Sequence, residues 1–227
     1  MLKLSVLKPS ANNMAVRVFV RAAGLPFSET DAWGHTRSPE FLAKCPAHLT
    51  PLIEIDGLPR GALWESCAIM QYLCNKHGLA AFYPAEPGAR AMVDSAMFYA
   101  TGTLYPLVAR ATYPALGFPL YPGEVGASAA ADADKAKAQH EASDALAEPL
   151  AVFEKFFIGQ SDFIGGAKPS IADIRLAATL EFLGAIDYAL PARLKSLMGT
   201  IEAALGKAYA EPAGDVRGYI QHVTSKR

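Results

Sequence analysis

A chain of 227 residues that is 52% hydrophobic and 19% charged can bury one large core or two smaller ones. Its formal net charge of −1 excludes broad electrostatic attraction to nucleic acid or to an anionic membrane, and no apolar stretch approaches the roughly 20 residues of a membrane span. Cys45, Cys67 and Cys74 form neither a Cys-x-x-Cys pair nor a metal-ligand pattern, so reduced thiols in a cytoplasmic protein, and no bound metal, are expected.

The opening Met1 to Lys8 is too short and too interrupted for a signal peptide and reads as a first strand, Leu4 to Leu7. Asn12 to Ala23 is helical, with Met14, Val18 and Ala22 on one face and Gly24 as its stop. Pro26 to Trp33 reads as an edge-like strand, and Ser38-Pro39 caps and opens a short helix. Two short strands, Leu52 to Ile55 and Gly61 to Trp64, flank an Asp56-Gly57 turn. Glu65-Ser66 then opens a helix to about Lys76 that Gly78 terminates. Two prolines and a glycine make Phe82 to Gly88 a linker, dividing the chain into residues 1–81 and 88–227. Past it every element reads as helical. The first helix, Ala89 to about Ala111, is kinked near Pro106, and a Pro/Gly-rich connection runs from Pro114 to Gly126. Helices follow over Ala130 to Phe157, Ile171 to Leu183 and Pro191 to Tyr209. Ser170-x-x-Asp173 is a capping-box variant, which gives Asp173 a structural role.

Chemistry concentrates in the first half. A proline at the mouth of a strand, Thr50-Pro51, costs a backbone donor and needs a reason; a cis peptide that turns the backbone toward a ligand supplies one. An acid and a hydroxyl at a helix N-terminus, Glu65-Ser66, suit a ligand carrying both amine and carboxylate. Taken singly, each piece is an ordinary turn or cap. Together with Cys67-Ala68-Ile69 they resemble the glutathione-binding half of the glutathione transferases, which carry a cis proline, a hairpin and Glu-Ser-x-Ala-Ile at a helix start. The resemblance spans roughly Leu4 to Leu183 and implies an α/β thioredoxin-like N-terminal domain, matching the β-α-β-α-β-β-α order, followed by an all-α C-terminal domain. It also implies a detoxifying transferase with glutathione as co-substrate.

Such an enzyme must turn a thiol of pKa about 8.5 into a thiolate, and a hydroxyl or amide donor aimed at the sulfur favours the anion. No tyrosine precedes Tyr72, which leaves the turn Lys8 to Met14. Ser10 aligns with the serine of theta- and delta-like relatives and Asn12 with the asparagine of the Nu-like branch; Asn13 is the alternative, and either Ser10 or Asn12 also suits a plain helix cap. By the same resemblance Thr50 meets the cysteinyl backbone, Pro51 holds that geometry, Glu65 meets the γ-glutamyl ammonium and Ser66 its carboxylate. Leu49 stands where relatives often have a lysine, so Arg37, His48 or His35 must meet the glycine carboxylate. An apolar pocket for the electrophile is expected between the halves. Tyr105, Val108 and Thr112 share a face there with Thr101 by 3–4 spacing, and Tyr113, Phe118 and Trp33 add aromatic surface. Family analogy implies a homodimer. Three other readings stay open: a disulfide or peroxide reductase or an isomerase working through bound glutathione, and a non-catalytic assembly module like that of elongation-factor gamma subunits.

Overall fold

In the computed structural model of the protein, which describes residues 1–118 and 131–226, the first half is β1 (Leu2–Val6), α1 (Ala11–Ala22), β2 (Phe27–Asp31), α2 (Pro39–Lys44), β3 (Leu52–Glu54), β4 (Ala62–Trp64) and α3 (Ser66–His77). The sheet order is β2-β1-β3-β4, with β2 parallel to β1 and the other two pairings antiparallel. Strand alternation assigns the faces. Leu2, Leu4, Val6 and Ile53 meet Met14 and Phe19 of α1 and Ile69 and Leu73 of α3. Leu52 points the other way and packs with Phe41 and Cys45 around α2. This is the thioredoxin-like arrangement expected, and its punctuation is as read: Ser38 Oγ accepts from Phe41 N at 3.3 Å, and Gly78 ends α3 in the left-handed region. The hairpin differs. Residues 55–61 form a longer loop, with Gly57 and Gly61 at φ of 96° and 73°, where glycine alone carries no steric penalty.

The second half is α4 (Pro87–Tyr99), a π-helical turn (Ala100–Leu104), α5 (Tyr105–Leu116), α6 (Asp132–Ala145), α7 (Ala147–Val152), a second π turn (Phe153–Ile158), α8 (Ile171–Glu181), a 3-10 turn (Phe182–Ile186), α9 (Ala192–Leu205) and α10 (Lys207–Thr224). The kink expected near Pro106 takes the form of the first π turn. A proline ring needs room against the preceding turn and returns no hydrogen bond, and one extra residue in that turn relieves both problems. α5 runs on through Pro114 to a left-handed Gly117; the rest of the expected 114–126 connection, and Ala130, lie outside the described residues. The expected helix over 191–209 is two helices, because Gly206 adopts φ 53°, ψ −130° and breaks it. α10 was not anticipated.

α8 is the central rod: all 11 of its residues are buried. Its start is held by the capping box. Ser170 Oγ accepts from Ala172 N and Asp173 N, while the Asp173 carboxylate accepts from Ile164 N (2.8 Å), Gly165 N (3.3 Å), Ser170 N (2.8 Å) and Ser170 Oγ (2.7 Å). Burial holds the Asp173 carboxyl above its ordinary range, and these donors offset only part of that rise. One apolar core runs through both halves, and polar bonds join them as well. Ile171 N donates to Phe82 O at 2.9 Å. Arg17 of α1, only 3% accessible, pairs with Glu29 at 3.0 Å and with Asp215 of α10 at 2.7 Å. Replacing Asp173 with alanine strands several buried N–H groups at once. Asp173→Ala is expected to cost about 2–4 kcal/mol, more than an ordinary cap. Urea unfolding measures it; a loss under about 1 kcal/mol overturns the assignment.

Candidate functional site

The sheet register gathers the candidate residues before any side chain is considered. Leu52, at the start of β3, pairs with Ser5 near the end of β1 and with Trp64 at the end of β4. Val6 pairs in parallel with Asp31 at the end of β2. The turn from β1 into α1, the Thr50-Pro51 step, Glu65-Ser66 and the loop bearing Trp33, His35 and Arg37 therefore leave the sheet at one end.

At that end the Thr50-Pro51 peptide is cis. Ser10 is the residue before α1 and has extended backbone, but its hydroxyl makes no capping bond. The plain-cap alternative for Ser10 therefore has no bond behind it; the residue is half-buried, and its hydroxyl has no partner among the described residues. Asn12, in the first turn of α1, is half-buried. Asn13 is wholly buried and committed elsewhere. Its Oδ1 accepts from Leu7 N at 3.2 Å and its Nδ2 donates to Thr50 Oγ1 at 3.0 Å. It is thus unavailable as a sulfur donor and instead ties the Ser10 turn to the cis-proline loop.

Glu65 is exposed, sits at φ 75° just ahead of α3, and makes no capping bond. A non-glycine residue in the left-handed region carries a strain of about 1–3 kcal/mol, which persists where the surroundings impose it. Ser66, the first residue of α3, is buried, beside N–H groups that a helix start leaves unpaired. His48 is half-buried with φ 49°, and Leu49 beside it is exposed. Arg37 and His35 are exposed, and neither forms an ion pair among the described residues.

A ladder of rings continues from this end into the helical half. Trp33, 52% exposed, lies 6.4 Å from Tyr219 of α10; Tyr219 stacks on Phe118 at 5.6 Å and 8°. Phe118 meets Tyr113 edge-on at 5.4 Å, and the Tyr113 and Tyr105 hydroxyls are 2.8 Å apart. Tyr105 lies under the guanidinium of Arg175, 4.9 Å from its ring centre. Burial, then the Tyr105 hydroxyl, push the Tyr113 phenol far above its ordinary range, so it stays a protonated donor.

The expected pocket face on α5 is not uniformly accessible. Tyr105 and Tyr113 reach the surface, but Val108 and Thr112 have no accessible area, and the Thr112 hydroxyl donates back to Val108 O at 2.7 Å. Neither can touch a ligand in this conformation. Thr101 faces α3 instead, with Oγ1 3.4 Å from Cys67 Sγ; the extra π residue rotates it from the Tyr105 face by about 100°. Tyr219 and Arg175 were missed. Tyr209, Ala213, Val216 and Ile220 recur on one face of α10 and would have revealed that helix, with Tyr219 beside them. A single arginine inside an otherwise apolar buried run was the signal for Arg175.

Comparison with known proteins agrees with this geometry. Models of the glutathione S-transferase N-terminal and C-terminal domains match residues 9–76 and 129–210. Glutathione S-transferase D7 of Drosophila melanogaster is 29% identical over 172 residues, covering 74% of this chain and 68% of that one. A delta-class glutathione transferase from Nilaparvata lugens superposes with TM-score 0.75 at 27% identity, over 99% of this chain and 100% of that one. Human glutathione transferase theta-2, solved with glutathione, superposes with TM-score 0.78 at 23% identity, over 100% and 91%. The chain belongs to the glutathione S-transferase family and is an enzyme of that family.

The strain at Glu65 separates fold from function. Glu65→Gly removes the backbone penalty, so the thermal midpoint is expected to hold or rise, while retention on immobilised glutathione is lost. A variant that still binds glutathione normally excludes Glu65 from the site.

Proposed function

We propose that the protein is a cytoplasmic glutathione transferase whose residues 1–81 bind glutathione and whose residues 88–227 supply the electrophile wall. The observation that carries this reading is the uncommitted Ser10 hydroxyl at the start of α1, on the same sheet end as the cis Thr50-Pro51 step and Glu65-Ser66. Glu65 receives the γ-glutamyl ammonium, and Ser66 with the first N–H groups of α3 receives its carboxylate. The Thr50 backbone pairs with the cysteinyl unit, and Arg37 or His48 meets the glycine carboxylate, since Leu49 cannot. Ser10, aided by Asn12, donates to the sulfur. The thiol proton leaves to solvent, the thiolate forms an S–C bond to the electrophile, and the leaving group departs with its electron pair. The aromatic ladder from Trp33 to Tyr105 holds the electrophile beside that sulfur.

The Cys74 thiol does not favour chemistry of its own. Burial pushes the Cys74 thiol up to about 12, the wrong direction for a nucleophile.

Removing the Ser10 hydroxyl removes a donor to the anion, so the bound thiol's pKa rises and the activity profile moves to higher pH. Ser10→Ala is expected to lower kcat by about 10²-fold near neutral pH, with recovery as pH rises. An unchanged rate in Ser10→Ala combined with Asn12→Ala, against an aryl halide, sinks this mechanism.

Homodimerisation is part of the same proposal, through α4 and α3. Phe98, 70% exposed, and Met92 on α4 offer apolar surface for a second copy. Light scattering is expected to give twice the monomer mass, and a monomer at micromolar concentration overturns it.

A further inference from the structure

Three arginines in this protein have little or no contact with water, or share their charge with buried acids, and one of them is treated differently from the other two. Arg17 meets the carboxylates of Glu29 and Asp215, and Arg217 those of Glu181 and Glu202. Arg175, 1% accessible in the middle of α8, meets none among the described residues. Its Nη1 donates to Thr179 Oγ1 at 2.6 Å, and its buried Nε has no acceptor. A guanidinium buried without a counter-charge is among the least favourable groups a core can hold. Its field, poorly screened in that surrounding, is answered by no carboxylate among the described residues.

The route outward is through Tyr105. The Arg175 guanidinium lies over that ring, and the Tyr105 and Tyr113 hydroxyls share one hydrogen bond. Two phenols carry two protons, and a single bond between them uses one. Whichever oxygen donates, one O–H is left with no acceptor among the described residues. Both tyrosines reach the surface, and Phe118 and Tyr219 continue the wall as flat apolar rings. A free donor in a positive field, beside aromatic faces, is a receptor for an anionic oxygen on an aromatic ring.

We propose that Tyr105 and Tyr113, backed by the buried Arg175, form a subsite for a carboxylate carried on the aromatic ring of the second substrate. The tyrosines touch the carboxylate. Arg175 acts through them as a positioning residue. The assignment of the ligand as a second substrate rests on the transferase reading; the carboxylate subsite itself does not.

The test is binding to the full chain without glutathione, measured by calorimetry with naphthalene-2-carboxylate and its neutral carboxamide. The carboxylate is expected to bind about tenfold more tightly, as befits one hydrogen bond to a charged group. Tyr105→Phe with Tyr113→Phe removes that preference, so that the two probes bind equally. Arg175→Met, similar in length and uncharged, removes it without touching the ligand, while Arg175→Lys retains part of it. Equal binding of the two probes to the wild type, or a preference that survives in the double tyrosine variant, overturns the proposal. So does a preference that survives in Arg175→Met; if that variant does not fold, the tyrosine pair decides. With glutathione present, matched chloronitroarenes with and without a carboxylate separate the two readings. Carboxylate binding without conjugation defeats the transferase reading alone. Conjugation of both arenes at equal kcat/KM, with no binding preference, defeats the subsite alone.

Discussion

Two hydrogen bonds made by one buried amide hold the end of the sheet proposed for glutathione in shape. The sheet aligns β1 with β3 only as far as the Ser5 and Leu52 pair; beyond it both chains leave the ladder. Asn13 extends the alignment, receiving Leu7 N and giving its own N–H to Thr50. An amide suits this position because it is acceptor and donor at once. Leucine makes neither bond, and aspartate makes both only by turning the Thr50 hydroxyl into a donor and burying a charge. The helix start that carries Ser10 and the loop that carries the cis proline are therefore one unit, and it depends on a residue with no accessible surface.

α10 plays the matching part for the helical half. Asp215 and Glu211 reach Arg17 and Arg21 of α1, and Arg217 reaches Glu181 of α8 and Glu202 of α9. The Tyr209 hydroxyl donates to the same Glu181 at 2.8 Å. One helix is pinned by charge to three others, in both halves of the chain. Arg17 and Glu181 are the buried members of these pairs; such a pair adds little net stability over apolar packing, but removing its partner leaves a stranded charge, so the pairs fix where α10 sits. That position sets the place of Tyr219 between Trp33 and Phe118.

What the amino-acid sequence disclosed follows the range of each interaction. Ser38 with Pro39, Gly78, and Ser170 with Asp173 are signals between near neighbours, and each was legible and correctly placed. The thioredoxin-like order was legible for the same reason, one turn and one cap at a time. Errors came where a distant contact decides. Val108 and Thr112 lie on the expected stripe of α5, but the helices packed around them, not their spacing, close that stripe. The π turn before Pro106 shifts a register that regular spacing assumes. Asn13 looks like Asn12 until Thr50, far along the chain, is brought beside it. The single break at Gly206 hid a whole helix, because a regular apolar period says nothing about one residue's φ.

The ring of Trp33 is synthesised well before the ring that packs beside it, Tyr219. While the chain is still growing, the sheet can assemble with Arg17 held by Glu29 alone. Until α10 emerges, Trp33 and Phe118 lack their shared neighbour. The nascent protein therefore passes through a stage with a formed sheet and an open row of aromatic rings, the kind of surface that chaperones bind and that associates with other unfinished chains. Completion of the site and loss of that sticky surface are the same event.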